Sequence, residues 1–243
     1  GTRECYNRIH QKSVRLFIEN GQKEVPEMII GESETLVITG DSVTDCGRQY
    51  PVGEGNGNLG DGYARNVQAL LDMNYPQKRI RVLNTGISGN TSRDLRGRWQ
   101  QDVMDLAPDW VTIMIGINDI WRKFDQCLHP EMSVSLEEYE SNLCWMLETT
   151  LPSVKGICLM PPCFMEQNHQ DPMRAMADQY RAKAKEVAER YGVLYADAQA
   201  GMDAYFRHYA AMYMSWDRVH ANQVGHMIIA KALVDALGFQ WNV

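Results

Sequence analysis

Thr35-Leu36-Val37-Ile38-Thr39-Gly40-Asp41-Ser42 is the stretch on which the reading of this chain turns. Its first five residues are apolar or β-branched, which predicts a short strand, and Gly40 ends the run and leaves Ser42 just past the carboxyl end. Working outward, the same kind of run recurs at 80–84, 110–115, 156–160 and 193–196. Amphipathic stretches near 61–74, 92–105, 135–150, 172–191 and 222–237 separate these runs. The stretch 172–191 shows the spacing best, since Met173, Met176, Tyr180, Ala184, Val187 and Tyr191 recur three or four apart. Asp171-Pro172 supplies its cap and first-turn proline, and Gly192 its stop. Strands alternating with helices of this length predict parallel β-α-β units, with helices on both faces of a buried sheet.

In open parallel sheets, ligands bind beyond the carboxyl ends of the strands. Ser42 follows the first predicted strand, Gly89 the second and Asn118 the third, while Asp217 and His220 lie just before the last helix. An unassisted serine hydroxyl is a weak nucleophile and needs a base within reach. His220 suits that task, because imidazole titrates near neutral pH and can hand the proton on to a leaving group. Asp217, three residues earlier, is spaced to meet the other ring nitrogen in a compact turn. The backbone N–H groups of Ser42 and Gly89 and the side-chain amide of Asn118 are three candidate donors to an oxyanion. Gly89 also lets the backbone approach closely, having no Cβ. Asn222 is placed to cap the last helix, with Val224, Met227, Ile228, Val234 and Leu237 as its apolar face.

The 243 residues suffice for one α/β domain with an ordinary core. Hydrophobic residues make up 44% and charged residues 23%, a globular balance. A formal net charge of −7 with no cluster of Lys and Arg argues against nucleic acid as a partner and makes a small neutral or cationic substrate easier to accommodate. No apolar run approaches the roughly 20 residues of a membrane-spanning helix, and no secretory signal is visible. Six scattered cysteines without a C-x-x-C pattern read as mostly buried free thiols of a reducing, cytoplasmic setting. They offer no metal-ligand spacing, and the chemistry above calls for no cofactor.

Each segment also has a bland reading when taken alone. Gly-Asp-Ser is most often a turn, Asn118-Asp119 a helix cap, and Asp217 with His220 a solvated pair; their joint occurrence, each after a different strand, carries the functional reading. Gly55-x-Gly57-x-x-Gly60 satisfies a dinucleotide fingerprint literally, but it does not follow a strand directly, so residues 49–62 read as a pliable loop at the rim of the site. Asp41 has no second carboxylate two residues on, against an aspartyl phosphatase. A nucleophile elbow needs Gly-x-Ser-x-Gly, and position 44 is Thr44. Trp216, Trp121 and Tyr213 are candidate substrate-binding aromatics, able to stack on a sugar ring or close a small acyl pocket. Trp99 reads as core; His169, His208 and His226 as structural or surface; Arg93, Arg96 and Arg98 as a solvated helix face or partners of nearby acids.

At these residues the chain resembles the SGNH hydrolases, also called the GDSL family. The family's four blocks carry the nucleophilic Ser, the oxyanion Gly, the oxyanion Asn and the Asp-x-x-His pair. They fall here on Ser42, Gly89, Asn118, Asp217 and His220. The resemblance spans residues 35–243 and implies a flavodoxin-like three-layer α/β/α sandwich around a five-stranded parallel sheet. The strings GDSVTDCGR (40–48), GISGNTSRDL (86–95), WVTIMIGINDIWR (110–122), QDPMRAMADQY (170–180) and WDRVH (216–220) are similar to those of bacterial acetylxylan esterases of this type. That likeness implies removal of acetyl groups from xylo-oligosaccharides. The alternatives it leaves are a broad short-chain or lysophospholipase-like esterase and, outside enzymes, a silent carbohydrate-binding protein of the same fold. Residues 1–34 match nothing in the family. They read as an extension, helical over 3–20, that packs on the domain or on a neighbouring subunit; the apolar tail (Phe239, Trp241, Val243) is a second candidate surface for a homo-oligomer.

Overall fold

Adjacent side chains of a strand point to opposite faces, so β1 (Thr35–Gly40) feeds two cores at once. Leu36 and Ile38 join one buried cluster and Val37 the other. The computed structural model describes residues 27–55 and 57–241. Along that chain β1 leads into a single helical turn, α1 (Ser42–Asp45), then β2 (Gly53–Glu54), α2 (Tyr63–Asn74) and β3 (Arg81–Asn84). Next come α3 (Ser92–Gly97), α4 (Trp99–Asp102), β4 (Trp110–Met114), α5 (Ile117–Asp125) and α6 (Leu136–Thr150). The last elements are β5 (Gly156–Met160), α7 (Pro172–Tyr191), β6 (Leu194–Tyr195), α8 (Ala198–Tyr205) and α9 (Gln223–Ala236).

The sheet runs in the order β2-β3-β1-β4-β5-β6. The five strands from β3 to β6 are parallel, in the flavodoxin-like order. Six strands stand where five are expected, because β2 adds an antiparallel edge with Gly53 opposite Asn84 and Glu54 opposite Leu83. Two residues carry no readable period, and β2 lies inside the glycine-rich stretch read as loop; pairing of Arg81 with Glu54 accompanies it there. One face of the sheet packs on α2, α8 and α9 through residues such as Tyr63, Met202 and Ile229. The other packs on α3 to α7 through Leu95, Trp99, Ile120, Leu147 and Val187. Each fully buried Leu, Ile or Val in these clusters contributes about 1.5–3 kcal/mol. Met28 and Ile30 are buried in the first cluster, and Ile29 N–H donates to Leu237 O at 3.0 Å. The helix expected over 3–20 lies outside the described residues.

Local sequence explains most of the boundaries. Asp171 Oδ1 accepts from the N–H groups of Met173 and Arg174, and Gly192 closes α7 at φ +65°. Asn222 caps α9 as expected, accepting from Val224 and Gly225. The buried face of α9 is rotated from expectation, however. His226, Ile229, Ala230, Leu233 and Val234 face the core, whereas Val224 and Met227 are exposed. Two small residues, Gly225 and Ala230, bring the helix close to its neighbours, which apolarity alone does not reveal. The helix expected over 92–105 breaks into α3 and α4 at Arg98, which leaves helical geometry (φ −104°, ψ 6°) just after Gly97.

Candidate active site

The carboxyl ends of β1, β3 and β4 lie side by side in the sheet, and the loops that follow them meet. Asp41 caps α1, its Oδ1 accepting from Val43 N–H at 3.0 Å, and this holds Ser42 as the first residue of the turn. Ser42 Oγ lies 2.8 Å from His220 Nε2. On the far side of the ring, His220 Nδ1 lies 2.6 Å from Asp217 Oδ2. The structure thus brings these three residues, drawn from opposite ends of the chain, into one line.

The turn carrying Asp217 and His220 is built by the carboxylate itself. Asp217 Oδ1 accepts from the backbone N–H of Val219 at 2.9 Å and of His220 at 2.8 Å, and from Ser215 Oγ at 3.0 Å. Arg218 sits between them at φ +66°, held by Glu166 and Asp171, each at 3.0 Å. Burial disfavours the charge of Asp217, but the His220 ring and these N–H groups outweigh it and hold its carboxyl down to about 2. An ionised Asp217 can only accept, so the ring proton resides on Nδ1 and the Nε2 lone pair faces the serine.

Gly89 lies in a loop pinned along its length. Asp45 Oδ2 accepts from Ser88 N–H at 3.0 Å, Ser88 Oγ at 2.8 Å and Tyr50 Oη at 2.8 Å. Burial opposes the charge of Asp45, yet the bonds from Ser88 and Tyr50 keep its carboxyl below the ordinary value. Asp119 accepts from Ser92 N–H at 2.8 Å and also binds Ser92 Oγ. Arg98 donates to Asn90 Oδ1 at 2.6 Å, Thr85 O at 2.7 Å and Gly40 O at 2.8 Å, tying the loop to the end of β1. Gly89 itself has φ +83°, and a Cβ there would meet no other atom within 4 Å, so within the folded chain glycine serves conformation rather than close packing. Asn118, buried in the first turn of α5, donates from Nδ2 to Asn90 O at 3.0 Å and so joins this loop. Among the described residues, the N–H groups of Ser42 and Gly89 have no hydrogen-bond partner.

The surroundings are sharply divided in polarity. Asp41 is buried, and burial, with the nearby Asp119 charge adding to it, pushes its carboxyl up to about 7 against the pull of its bond from Val43. Burial likewise raises Asp119 to about 6 despite its bonds to Ser92. Burial pushes the Cys46 thiol up to about 12, which leaves it a poor rival nucleophile beside Ser42. Burial, then the neighbouring His220 charge, hold His226 down to about 4; it packs against Cys46 Sγ at 3.5 Å as a structural residue.

Of the candidate aromatics, Trp121 has its ring centroid 5.8 Å from that of His220. Trp216 is 89% exposed, and with Met212 and Tyr213 it borders a cleft of about 350 Å³ that also touches Asp217 and His220. Trp99 is fully buried, its Nε1 donating to Thr150 Oγ1 at 2.9 Å, as a core residue. Arg93 pairs with Glu138, and Arg96 lies over Trp145. Arg98 pairs with Asp102 but is otherwise turned inward, a site residue that the surface reading missed. A larger hollow of about 490 Å³ between β3 and α2, bordered by Glu54, Arg65, Asp72 and Arg81, contains none of the candidate catalytic, oxyanion or substrate-binding residues. The five described cysteines are unpaired, but only Cys158 and Cys163 are buried, fewer than expected; Cys127 is exposed. No described helix is long and apolar enough to cross a membrane.

Known proteins resemble this chain in sequence and fold over most of its length. The pattern of the GDSL-like Lipase/Acylhydrolase family matches residues 38–228. An acetylxylan esterase of Geobacillus stearothermophilus is 49% identical over 215 residues, which cover 88% of this chain and 98% of that protein. The crystal structure of Axe2, an acetylxylan esterase from Geobacillus stearothermophilus, matches with a TM-score of 0.87 at 49% identity, covering 88% of this chain and 98% of that one. LAE5, an alpha/beta hydrolase enzyme from the metagenome of Lake Arreo, Spain, matches with a TM-score of 0.85 at 46% identity, over 87% of this chain and 98% of that one. With the family's pattern running from β1 into α9 and the fold agreeing over 88% of the chain, the chain belongs to the GDSL-like lipase/acylhydrolase family.

Proposed function

We propose that the protein is a serine esterase that removes acetyl groups from carbohydrate, with acetylated xylo-oligosaccharides as its substrate. The observation that carries this reading is the Ser42–His220–Asp217 line, at 2.8 and 2.6 Å, in a chain 49% identical to an acetylxylan esterase. Ser42 Oγ attacks the acetyl carbonyl while His220 Nε2 takes its proton, and Asp217 stabilises the imidazolium that forms. The N–H groups of Ser42 and Gly89 and the Asn118 amide donate to the oxyanion. His220 returns the proton to the departing sugar hydroxyl, and water then hydrolyses the acetyl-enzyme by the same steps in reverse. No step calls for a metal or an organic cofactor.

Trp216 and Tyr213 form a platform beside the triad on which a sugar ring stacks, and Trp121 closes the acyl side. The exposure of Trp216 and Tyr213 and the cleft they border support the platform, and the Trp121 ring, 5.8 Å from that of His220, supports its place beside the triad. The unpaired cysteines support a reducing, cytoplasmic setting. The test is acetate release from acetylated xylo-oligosaccharides, with Ser42→Ala as control and Trp216→Ala as the probe of the platform. Rapid release by the native chain and almost none by Ser42→Ala is expected. Normal release by Ser42→Ala would overturn the mechanism. No release by a chain that still reacts with a serine-directed phosphonate would overturn the substrate alone.

A further inference from the structure

The Asn118 side chain is held from both ends. Its Nδ2 donates to Asn90 O at 3.0 Å, and its Oδ1 accepts from Arg122 Nη2 at 2.8 Å. A backbone carbonyl can only accept and a guanidinium can only donate, so the two partners together fix which end of the amide is nitrogen. One Nδ2 hydrogen is committed to Asn90, next to Gly89, and the second has no partner among the described residues. Arg122 stands four residues on along α5, where its side chain shares a face with Asn118. It is itself anchored: Nη1 pairs with Asp125 one turn away, and its guanidinium carbon lies 5.3 Å from the Trp121 ring centroid. The Arg122 side chain is only 19% exposed, so its charge is incompletely screened where it meets the amide oxygen.

We infer that Arg122 is a positioning residue for acyl transfer, which orients the Asn118 amide and polarises it as an oxyanion donor. A cation on the carbonyl oxygen of an amide draws electron density from nitrogen, making the remaining N–H a stronger donor. That gain grows as negative charge develops on the oxyanion, so it acts on the transition state more than on bound ester. Arg122 touches neither substrate nor reacting atoms in this scheme. The inference rests on Asn118 serving as an oxyanion donor, and the test separates the two claims.

The test is a double-mutant cycle of Arg122→Met and Asn118→Ala, with kcat and KM measured on 4-nitrophenyl acetate and thermal unfolding followed alongside. Arg122→Met should lower kcat roughly tenfold or more, with KM within about twofold. In the Asn118→Ala background the same change should lower kcat by less than about twofold, because no amide remains to polarise. Arg122→Lys, which keeps a charge but not the fork, should recover part of the loss. If Arg122→Met fails to fold, Arg122→Gln takes its place in the cycle, with the same non-additivity expected. Equal losses in both backgrounds would mark Arg122 as merely structural and overturn the inference. So would native kcat in Arg122→Met while Asn118→Ala is impaired. Native kcat in Asn118→Ala would remove Asn118 from the oxyanion site, and Arg122 with it.

Discussion

Asp217 grips His220 with both carboxylate oxygens, Oδ2 at 2.6 Å from the ring Nδ1 and Oδ1 at 2.8 Å from the backbone N–H of the same residue. One side chain therefore sets the turn, the ring orientation and the tautomer together. The separation of three residues in sequence is what makes this possible, since Arg218 takes a left-handed conformation and folds the turn back on the carboxylate.

Asp217→Asn should consequently leave the fold in place but lower kcat by about 10³–10⁴, because an amide can donate to Nδ1 and invert the tautomer. Steady-state rates on a short acetyl ester, with circular dichroism for the fold, check this. The carboxylate's low value also has a sign for stability. Its contribution is present above the ordinary carboxylate range and is lost only as pH falls toward about 2. Native-like kcat in Asp217→Asn would leave the imidazole oriented by something other than this pair.

Gly89→Ala separates conformation from contact. An added Cβ meets no other atom, but φ +83° is unfavourable for any side chain, so the change should cost about 1–2 kcal/mol. Activity should suffer more than stability, by about 10²-fold in kcat, if relaxation of φ turns the N–H away from the oxyanion. Urea unfolding and kcat measured on the same preparation decide it. A kcat loss no greater than the stability loss would argue that the Gly89 N–H does not act in the reaction.

Much of the fold was legible because strands such as β5 are continuous apolar runs and α7 carries its cap, its first proline and its terminal glycine in sequence. The family's blocks likewise marked Ser42, Asp217 and His220 without any structure. What the sequence concealed falls into two kinds. Helix α5 shows apolar residues at Ile117, Ile120, Trp121 and Phe124, a readable helical spacing, yet it is absent from the helices expected from the sequence, where Asn118-Asp119 read at most as a cap. Recognising that helix would have put Arg122 next to Asn118. Arg98, Asp45 and Asp119 are different, since their partners lie 43 residues away for Asp45 and Ser88 and 58 for Arg98 and Gly40. Such bonds arise only from tertiary assembly. A charged side chain in sequence gives no sign that it will turn inward, as Arg98 does.

Asp41 should leave a mark on stability against pH. Burial raises its folded value to about 7, above the ordinary carboxylate value of 3.8 that the unfolded chain retains. Between those two limits the native state holds a proton that the unfolded state has released, so this group's contribution becomes less favourable as pH rises. Asp41→Asn keeps an acceptor for the Val43 N–H and removes the titration. Its stability relative to the native chain should therefore rise from pH 4 to pH 7, as measured by urea midpoints at several pH values. A pH-independent difference would mean that Asp41 titrates in its ordinary range.

Arg98 joins the nucleophile's strand and the Gly89 loop through side-chain bonds to both, alongside the bond from Ile87 N–H to Gly40 O. It donates to Gly40 O on one side and to Thr85 O and Asn90 Oδ1 on the other, while Asp102 at 2.7 Å balances its charge. Arg98→Met fills similar space but takes the donor from Thr85 O and Asn90 Oδ1 in a largely buried setting, while Gly40 O keeps the Ile87 N–H at 3.1 Å. The expected loss is about 2–4 kcal/mol in unfolding free energy, Asp102 keeping some access to water. Arg98→Lys should recover little of it, because an ammonium on a flexible stem cannot span acceptors that a planar fork reaches together. Both changes should also lower kcat, since toward the end of β1 and the turn after it the Gly89 loop would keep only its bonds from Ile87 N–H to Gly40 O and from Ser88 to Asp45. Urea unfolding and kcat for the two variants give the answer. A lysine variant that matched the native chain in both would show that charge alone, rather than the fork, joins the loop to the strand.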